Sequence, residues 1–188
     1  MADTVNVLAI CGSLRKGSFN RMLMNSSIEL APEGVTVKEA PPWASLPIYN
    51  ADDQEGKGFP AEATAIADAI RAADGVLIVS PEYNWSIPGG LKNAVDWLSR
   101  MKDQPFNRKP LAIQSAAAGL LGGGRGQVAW RQSMAFLEVN WMTRPEVLVT
   151  FAAQKFDEQG RLKDQTTADM IKAQLGAFRD FIRKHPKA

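Results

Sequence analysis

Two hydrophobic patterns alternate along this chain. Short apolar runs stand at Val5, Val7, Leu8 and Ile10, at Val76-Leu77-Ile78-Val79, at Leu111-Ala112-Ile113 and at Val147-Leu148-Val149. Continuous apolar runs of this length are expected of parallel strands buried on both faces. Thr36 to Glu39 gives a shorter, weaker strand. Between the runs, apolar residues recur at helical spacing. They are Phe19, Met22, Leu23 and Leu30, then Ala63, Ile66, Ala67 and Ile70, then Leu91, Ala94, Val95 and Leu98. A helix from about Gln127 to Val139 carries Trp130, Met134 and Leu137 on one side. The last helix turns Ile171, Leu175, Phe178 and Ile182 inward, with Thr166 or Thr167 as its cap. Asp52 to Gly58 reads as an exposed loop and Lys155 to Asp164 as a polar connector. Ala40 to Asn50 is proline-rich and carries Trp43, Ile48 and Tyr49, so it is expected to cover an edge or join an interface.

Strands that alternate with amphipathic helices predict an α/β protein with one parallel sheet covered on both faces. Residues 1–188 read as a single domain. With right-handed crossovers the expected five-strand order is 2-1-3-4-5. Strands 1, 3 and 4 are then neighbours, and the loops that follow them meet at one crevice, where the strand order reverses.

Those three loops carry the chemistry. The first, after strand 1, is Cys-Gly-Ser-Leu-Arg-Lys-Gly-Ser-Phe-Asn, from Cys11 to Asn20. Gly12 and Gly17 permit close approach, Ser13 and Ser18 offer hydroxyls, Asn20 an amide and Arg15 a fork of donors. A helix start adds unpaired N–H groups, so the expected guest is a phosphate. It is not a P-loop, because Ser18-Phe19 stand where Lys-Ser/Thr would follow the glycines. It is not the dinucleotide pattern either, since Leu14 occupies the second glycine position. An ordinary turn between strand and helix would also use these residue types. The second loop, Ser80 to Gly90, is stiffened by two prolines and displays Tyr83 and Trp85, which suits a planar ring. The third, Ser115 to Gly126, is glycine-rich and able to bring N–H groups close to a ligand edge. Within it, Gly124 to Ala129 matches G-x-G-x-x-A, but no strand directly precedes the first glycine, so the match reads as accidental. Phosphate, planar ring and polar edge together describe bound FMN.

Composition narrows the alternatives. A formal charge of +2 with no basic run argues against a nucleic-acid partner. Cys11 is the one cysteine, which rules out an internal disulfide and fits a reducing compartment. His185 is the one histidine, in a polar tail, so no histidine triad or His/Cys zinc site can be assembled and no metal is expected. No apolar run is long enough to span a membrane and no signal peptide is visible, which makes cytoplasmic the default.

Gly12-Ser13-Leu14-Arg15 with Ser18 and Asn20, then Pro81-Glu82-Tyr83-Asn84 with Pro88-Gly89-Gly90-Leu91-Lys92-Asn93, resemble the NAD(P)H-dependent FMN reductase family, in its bacterial quinone and chromate reductase branch. The resemblance runs from about Val5 to Val149. It implies a flavodoxin-like fold, with FMN as cofactor and NADPH or NADH as co-substrate. It implies that Ser13, Arg15, Ser18, Phe19 and Asn20 hold the phosphate. Pro81, Glu82, Tyr83 and Asn84 would line the ring, and Ser115 to Gly119 its polar edge. No side chain is expected to be catalytic, because flavin N5 carries the chemistry. Members form homodimers and often homotetramers, and Arg125 matches an arginine at the tetramer contact. Trp85 and the extra glycine in Gly122-Gly123-Gly124 depart from the pattern where substrates would enter. Quinones, free flavin, azo dyes and chromate are the expected acceptors, by a ping-pong mechanism. The rival readings are a flavodoxin-type electron carrier, against which the basic Arg15-Lys16 argues, and a flavin-free regulatory module.

Overall fold

The computed structural model describes residues 4–185. Six strands form the sheet: β1 (Val5–Cys11), β2 (Val35–Glu39), β3 (Gly75–Val79), β4 (Pro110–Ala116), β5 (Asn140–Trp141) and β6 (Val147–Val149). Six helices accompany them: α1 (Phe19–Glu29), α2 (Ala51–Lys57), α3 (Ala61–Ala72), α4 (Gly89–Ser99), α5 (Gly124–Ser133) and α6 (Gln165–Lys184). All pairings are parallel and the order is β2-β1-β3-β4, with the fifth place shared. β5 pairs with Pro110 and Leu111 at the start of β4, and β6 with Gln114 to Ala116 at its end. The expected single fifth strand is therefore interrupted, and only its upper half was visible in the apolar pattern.

Alternation along the strands builds two cores. Leu8, Ile10, Val76, Ile78, Leu111 and Ile113 point to one face and pack against α3, α4 and α5. Val7, Ala9, Cys11, Leu77, Val79 and Ala112 point to the other and pack against α1 and α6. Leu77, Val76, Leu111 and Ala112 are wholly buried, as a doubly covered sheet requires.

Three local expectations are corrected. Residues 51–57 form a helix instead of a loop, yet bury nothing. Asn50 caps it through the Asp52 N–H, acidic residues fill its first turn, and Lys57 pairs with Asp53 one turn away. End effects alone therefore sustain this helix, and no hydrophobic stripe announces it. The helix expected from Gln127 to Val139 begins earlier, at Gly124, and stops at Ser133. A single 3₁₀ turn, Ala135–Leu137, follows, and Glu138 in the left-handed region ends it. The cap of α6 is Asp164, whose carboxylate accepts from both the N–H and the hydroxyl of Thr167. A carboxylate at the positive end of the helix dipole outcompetes a hydroxyl one turn later.

Candidate functional site

The loops after β1, β3 and β4 do converge at the C-terminal edge of the sheet, and specific bonds lock them together. Asn20, at the start of α1, spans 96 residues of sequence to reach β4. Its Nδ2 donates to the Ala116 carbonyl at 2.9 Å and its Oδ1 accepts from the Ala116 N–H at 3.0 Å. Its amide therefore fixes the first loop to the third. Glu82 ties the second loop to α5, its Oε2 accepting from the Gly126 N–H at 3.0 Å. Gly12 sits against Ser80, so closely that a β-carbon there would lie 2.8 Å from the Ser80 hydroxyl.

The first loop keeps its donors open. Ser18 caps α1, its Oγ accepting from the N–H groups of Asn20 and Arg21. The N–H groups of residues 14–17 and of Phe19 meet no acceptor among the described residues. Neither does the Ser13 hydroxyl find a partner there. Arg15 is exposed and lies 5.7 Å from the Phe19 ring, and it forms no ion pair among the described residues. Phe19 in turn stacks on Phe156 at 6.3 Å. Open N–H groups, a helix start and a free guanidinium fit an anion such as a phosphate. Cys11 is buried beneath this loop, its thiol donating to the Ser13 carbonyl, and burial pushes its pKa up, which disfavours the thiolate.

The second loop is tighter than its prolines alone suggest. Tyr83 and Ser86 exchange reciprocal main-chain hydrogen bonds at 2.9 Å around a two-residue turn. Asn84 and Trp85 occupy its corners with φ of 50° and 65°. Tyr83 and Trp85 are exposed, and Arg125 from α5 stacks on Trp85, its guanidinium carbon 3.8 Å from the ring centre. Glu82 also lines a cavity of about 290 Å³ with Ala117 and Gly119 to Gly123.

In the third loop the Ser115 hydroxyl and the Gln127 amide nitrogen are already committed, while Gln127 Oε1 is buried without a partner among the described residues. Ser115 donates to the Gly122 carbonyl at 2.6 Å and accepts from Gln127 Nε2 at 2.9 Å. Gln127 also reaches the Val147 carbonyl, which closes the clamp on β6. Gly123 takes φ of 90°, and a β-carbon there would lie 2.8 Å from that of Ser115. The N–H groups of residues 118–123 meet no acceptor among the described residues, so the main chain supplies this loop's donors. Gln127 was not singled out from the sequence, because a glutamine one turn into a helix reads as surface. Only its distance from the glycine run hinted at it.

A larger cavity, about 520 Å³, opens on the β2 side of the first loop, lined by Leu14, Arg21, Glu39 and Pro41 to Ala44. Its two charged groups, Arg21 and Glu39, are paired with each other, so it offers no net charge. The phosphate-type donors belong to the first loop, beside the loops after β3 and β4. Among the described residues no cluster of His, Cys, Asp or Glu could hold a metal.

A family model described as NADPH-dependent FMN reductase matches residues 5–154. The chain belongs to the NADPH-dependent FMN reductase family. The match spans all three loops. A quinone reductase of Escherichia coli K12 is 46% identical over 185 residues, 98% of each chain. An NAD(P)H-dependent FMN reductase of Pseudomonas aeruginosa is 42% identical over 98% of each chain. The solved structure of FerB, a flavoenzyme NAD(P)H:(acceptor) oxidoreductase from Paracoccus denitrificans, superposes with a TM-score of 0.87. It is 31% identical and covers 98% of this chain and 100% of its own. The flavodoxin-like fold, the enzyme class and the pairing of FMN with a nicotinamide co-substrate thus stand as expected.

Proposed function

We propose that this reductase uses NAD(P)H and bound FMN to reduce quinones, with free flavin, azo dyes and chromate as further acceptors, in the cytoplasm. Bound FMN supplies the redox chemistry, accepting a hydride from the nicotinamide and delivering two electrons to the acceptor. The observation that carries the reading is the open donor set of the first loop, held by Asn20 and Glu82 beside two loops of exposed rings and main-chain N–H groups. Arg15, Ser13, Ser18 and the start of α1 at Phe19 hold the phosphate, and Asn20 positions them. Pro81, Glu82, Tyr83 and Asn84 border the ring. Ser115 shapes the third loop from behind, and the N–H groups of Ala118 and Gly119 are presented to the ring's polar edge, where fixed donors favour the negative charge that builds on reduction. The whole of 1–188 serves as one FMN-binding domain.

Nicotinamide and acceptor use one pocket in turn, because a donor stacked within roughly 3–3.5 Å of its target leaves no room for a second flat molecule. The working form is a homodimer or homotetramer, and exposed Ile48 and Phe136 are surfaces a second copy can cover. The test is the visible spectrum of the purified protein and its bleaching by NADPH without oxygen, followed by initial rates with a quinone. Flavin absorbance, bleaching and parallel double-reciprocal lines are expected. A flavoprotein that NADPH does not bleach is an electron carrier instead, and intersecting lines require two sites.

A further inference from the structure

The cavity of about 520 Å³ on the β2 side of the first loop takes no part in holding the flavin phosphate, and its walls are fixed from several directions. β2 ends at Glu39, which lies opposite Ala9 of β1. Pro41 and Pro42 follow, and without N–H groups they cannot extend the ladder. The chain leaves the sheet there, and Trp43 Nε1 donates to the Cys11 carbonyl at 2.9 Å. The indole lies against Gly90, where a β-carbon would stand 2.7 Å from the ring. Leu14 of the first loop, Pro41, Pro42 and Trp43 give the cavity apolar walls, and Arg21 and Glu39 are its charged groups.

The charged pair keeps hydrogen-bonding capacity in reserve. It is made through Glu39 Oε1 and Arg21 Nη1 alone, so Glu39 Oε2 and the other guanidinium N–H groups meet no partner among the described residues. The place of the acid also has a meaning. Glu39 stands at the carboxyl end of the strand beside β1, about 20 residues after Gly17. In a mononucleotide-binding βαβ unit, a carboxylate at that place accepts from the 2′-hydroxyl of an adenosine ribose. An arginine nearby accommodates a 2′-phosphate. This chain has both groups and holds them together. Reach is adequate too. Neighbouring strands are about 4.8 Å apart, so the cavity lies roughly 10 Å across the sheet from the loops after β3 and β4, a span that an extended dinucleotide covers.

We propose that this cavity seats the adenosine half of the nicotinamide co-substrate, and that the Arg21–Glu39 pair reads its 2′ position. The proposal rests on the reading of the site as an NAD(P)H-dependent reductase. Glu39 Oε2 accepts from the ribose hydroxyls of NADH. Arg21 turns its open N–H groups to the 2′-phosphate of NADPH. Each charge tempers the other, so both dinucleotides are accepted. Removing one charge or the other tips the preference in opposite directions.

The experiment uses the FMN-loaded protein, so that flavin already fills the first loop. The probes are 5′-AMP and adenosine 2′,5′-bisphosphate, which differ only in the 2′-phosphate. Calorimetric titration gives their relative affinity, and initial rates with a quinone give the ratio of kcat/KM for NADPH to that for NADH. Glu39→Gln should raise both ratios about tenfold, and Arg21→Gln should lower both about tenfold, the worth of one charge-assisted contact. Glu39→Asp and Arg21→Lys keep the charges and should retain most of the wild-type preference. A pair that only ties α1 to β2 would lower the urea midpoint in both charge-removing variants and move neither ratio. On the wild type, where no variant has to fold, both probes should compete with NADPH. Ratios that stay fixed or move the same way in the two variants overturn the proposal alone, as does a wild-type holoenzyme that oxidises NADPH without competition from either probe. A wild-type flavoprotein that neither NADH nor NADPH bleaches overturns the reductase reading and the proposal with it.

Discussion

The loops after β1 and β4 are bonded to each other through Asn20 and Ala116, yet they treat their polar groups in opposite ways. In the first loop Arg15, the Ser13 hydroxyl and a run of N–H groups have no protein partner among the described residues. In the third, Ser115 and Gln127 are bonded to each other, to Gly122 and to Val147. One loop offers charge and side chains to a ligand. The other uses its side chains to hold a glycine-rich main chain in shape. Substitutions in the first should therefore show in cofactor affinity, and substitutions in the third in stability.

The strongest test of that division is Gly123. Its φ of 90° and the 2.8 Å approach to Ser115 leave no room for a branched side chain. Gly123→Val should cost about 2–5 kcal/mol, from left-handed strain together with overpacking. Gly119 lies four residues earlier in the same loop, where a β-carbon meets nothing within 4 Å. Gly119→Ala should change stability by no more than about 0.5 kcal/mol. Urea unfolding of both apoproteins makes the comparison. Equal midpoints would mean that the loop has no fixed shape without its ligand.

Within the first loop, Arg15 and Asn20 separate ligand contact from support. Arg15→Ala should weaken FMN binding about ten- to a hundredfold, by fluorescence quenching, with little change in stability. Asn20→Ala leaves the buried N–H and carbonyl of Ala116 unpaired, which should cost about 2–4 kcal/mol of stability. Full-strength FMN binding by Arg15→Ala would remove the phosphate from this loop. An Asn20→Ala protein as stable as the wild type would remove the strap.

The sequence pattern reveals β1, β3 and β4 because each is apolar on both faces, and through them it reveals which loops meet. It misses α2, which buries nothing, and β5, which is two residues long. The site divides the same way. Residue types able to bind phosphate stand together within Cys11 to Asn20 and are legible there. The bonds that hold the loops in place join Asn20 to Ala116, Glu82 to Gly126 and Gln127 to Val147. Pairs so far apart in sequence leave no periodic trace, and the stack of Arg125 on Trp85 is hidden for the same reason.

The smallest expected effect comes from a segment that touches both loops. After β6 the chain passes over the third loop, where Ala152 donates to the Ala117 carbonyl, and then sets Phe156 on Phe19 of the first. Asp164 closes this segment, bonding Lys155 at 2.8 Å while it caps α6. The Lys155 ammonium and the Thr167 donors hold its carboxyl at about 2, below the ordinary 3.8. A lowered folded-state pKa gives stability that is fully present above 3.8 and is lost as pH falls toward 2. Asp164→Asn keeps a capping oxygen and loses the charge. It should cost about 0.5–1 kcal/mol at neutral pH, as a partly exposed ion pair does. The gap between variant and wild type should narrow to a small remainder as the pH nears 2, where the wild-type carboxyl is about half protonated. Urea midpoints at neutral pH, near 4 and near 2 measure that gap. Because the segment braces both loops, FMN affinity at neutral pH should fall with stability, by no more than a few-fold. Lost affinity at unchanged stability would place the brace on the first loop alone. A gap that stays constant down to the lowest pH would show that the charge of Asp164 contributes nothing beyond its cap.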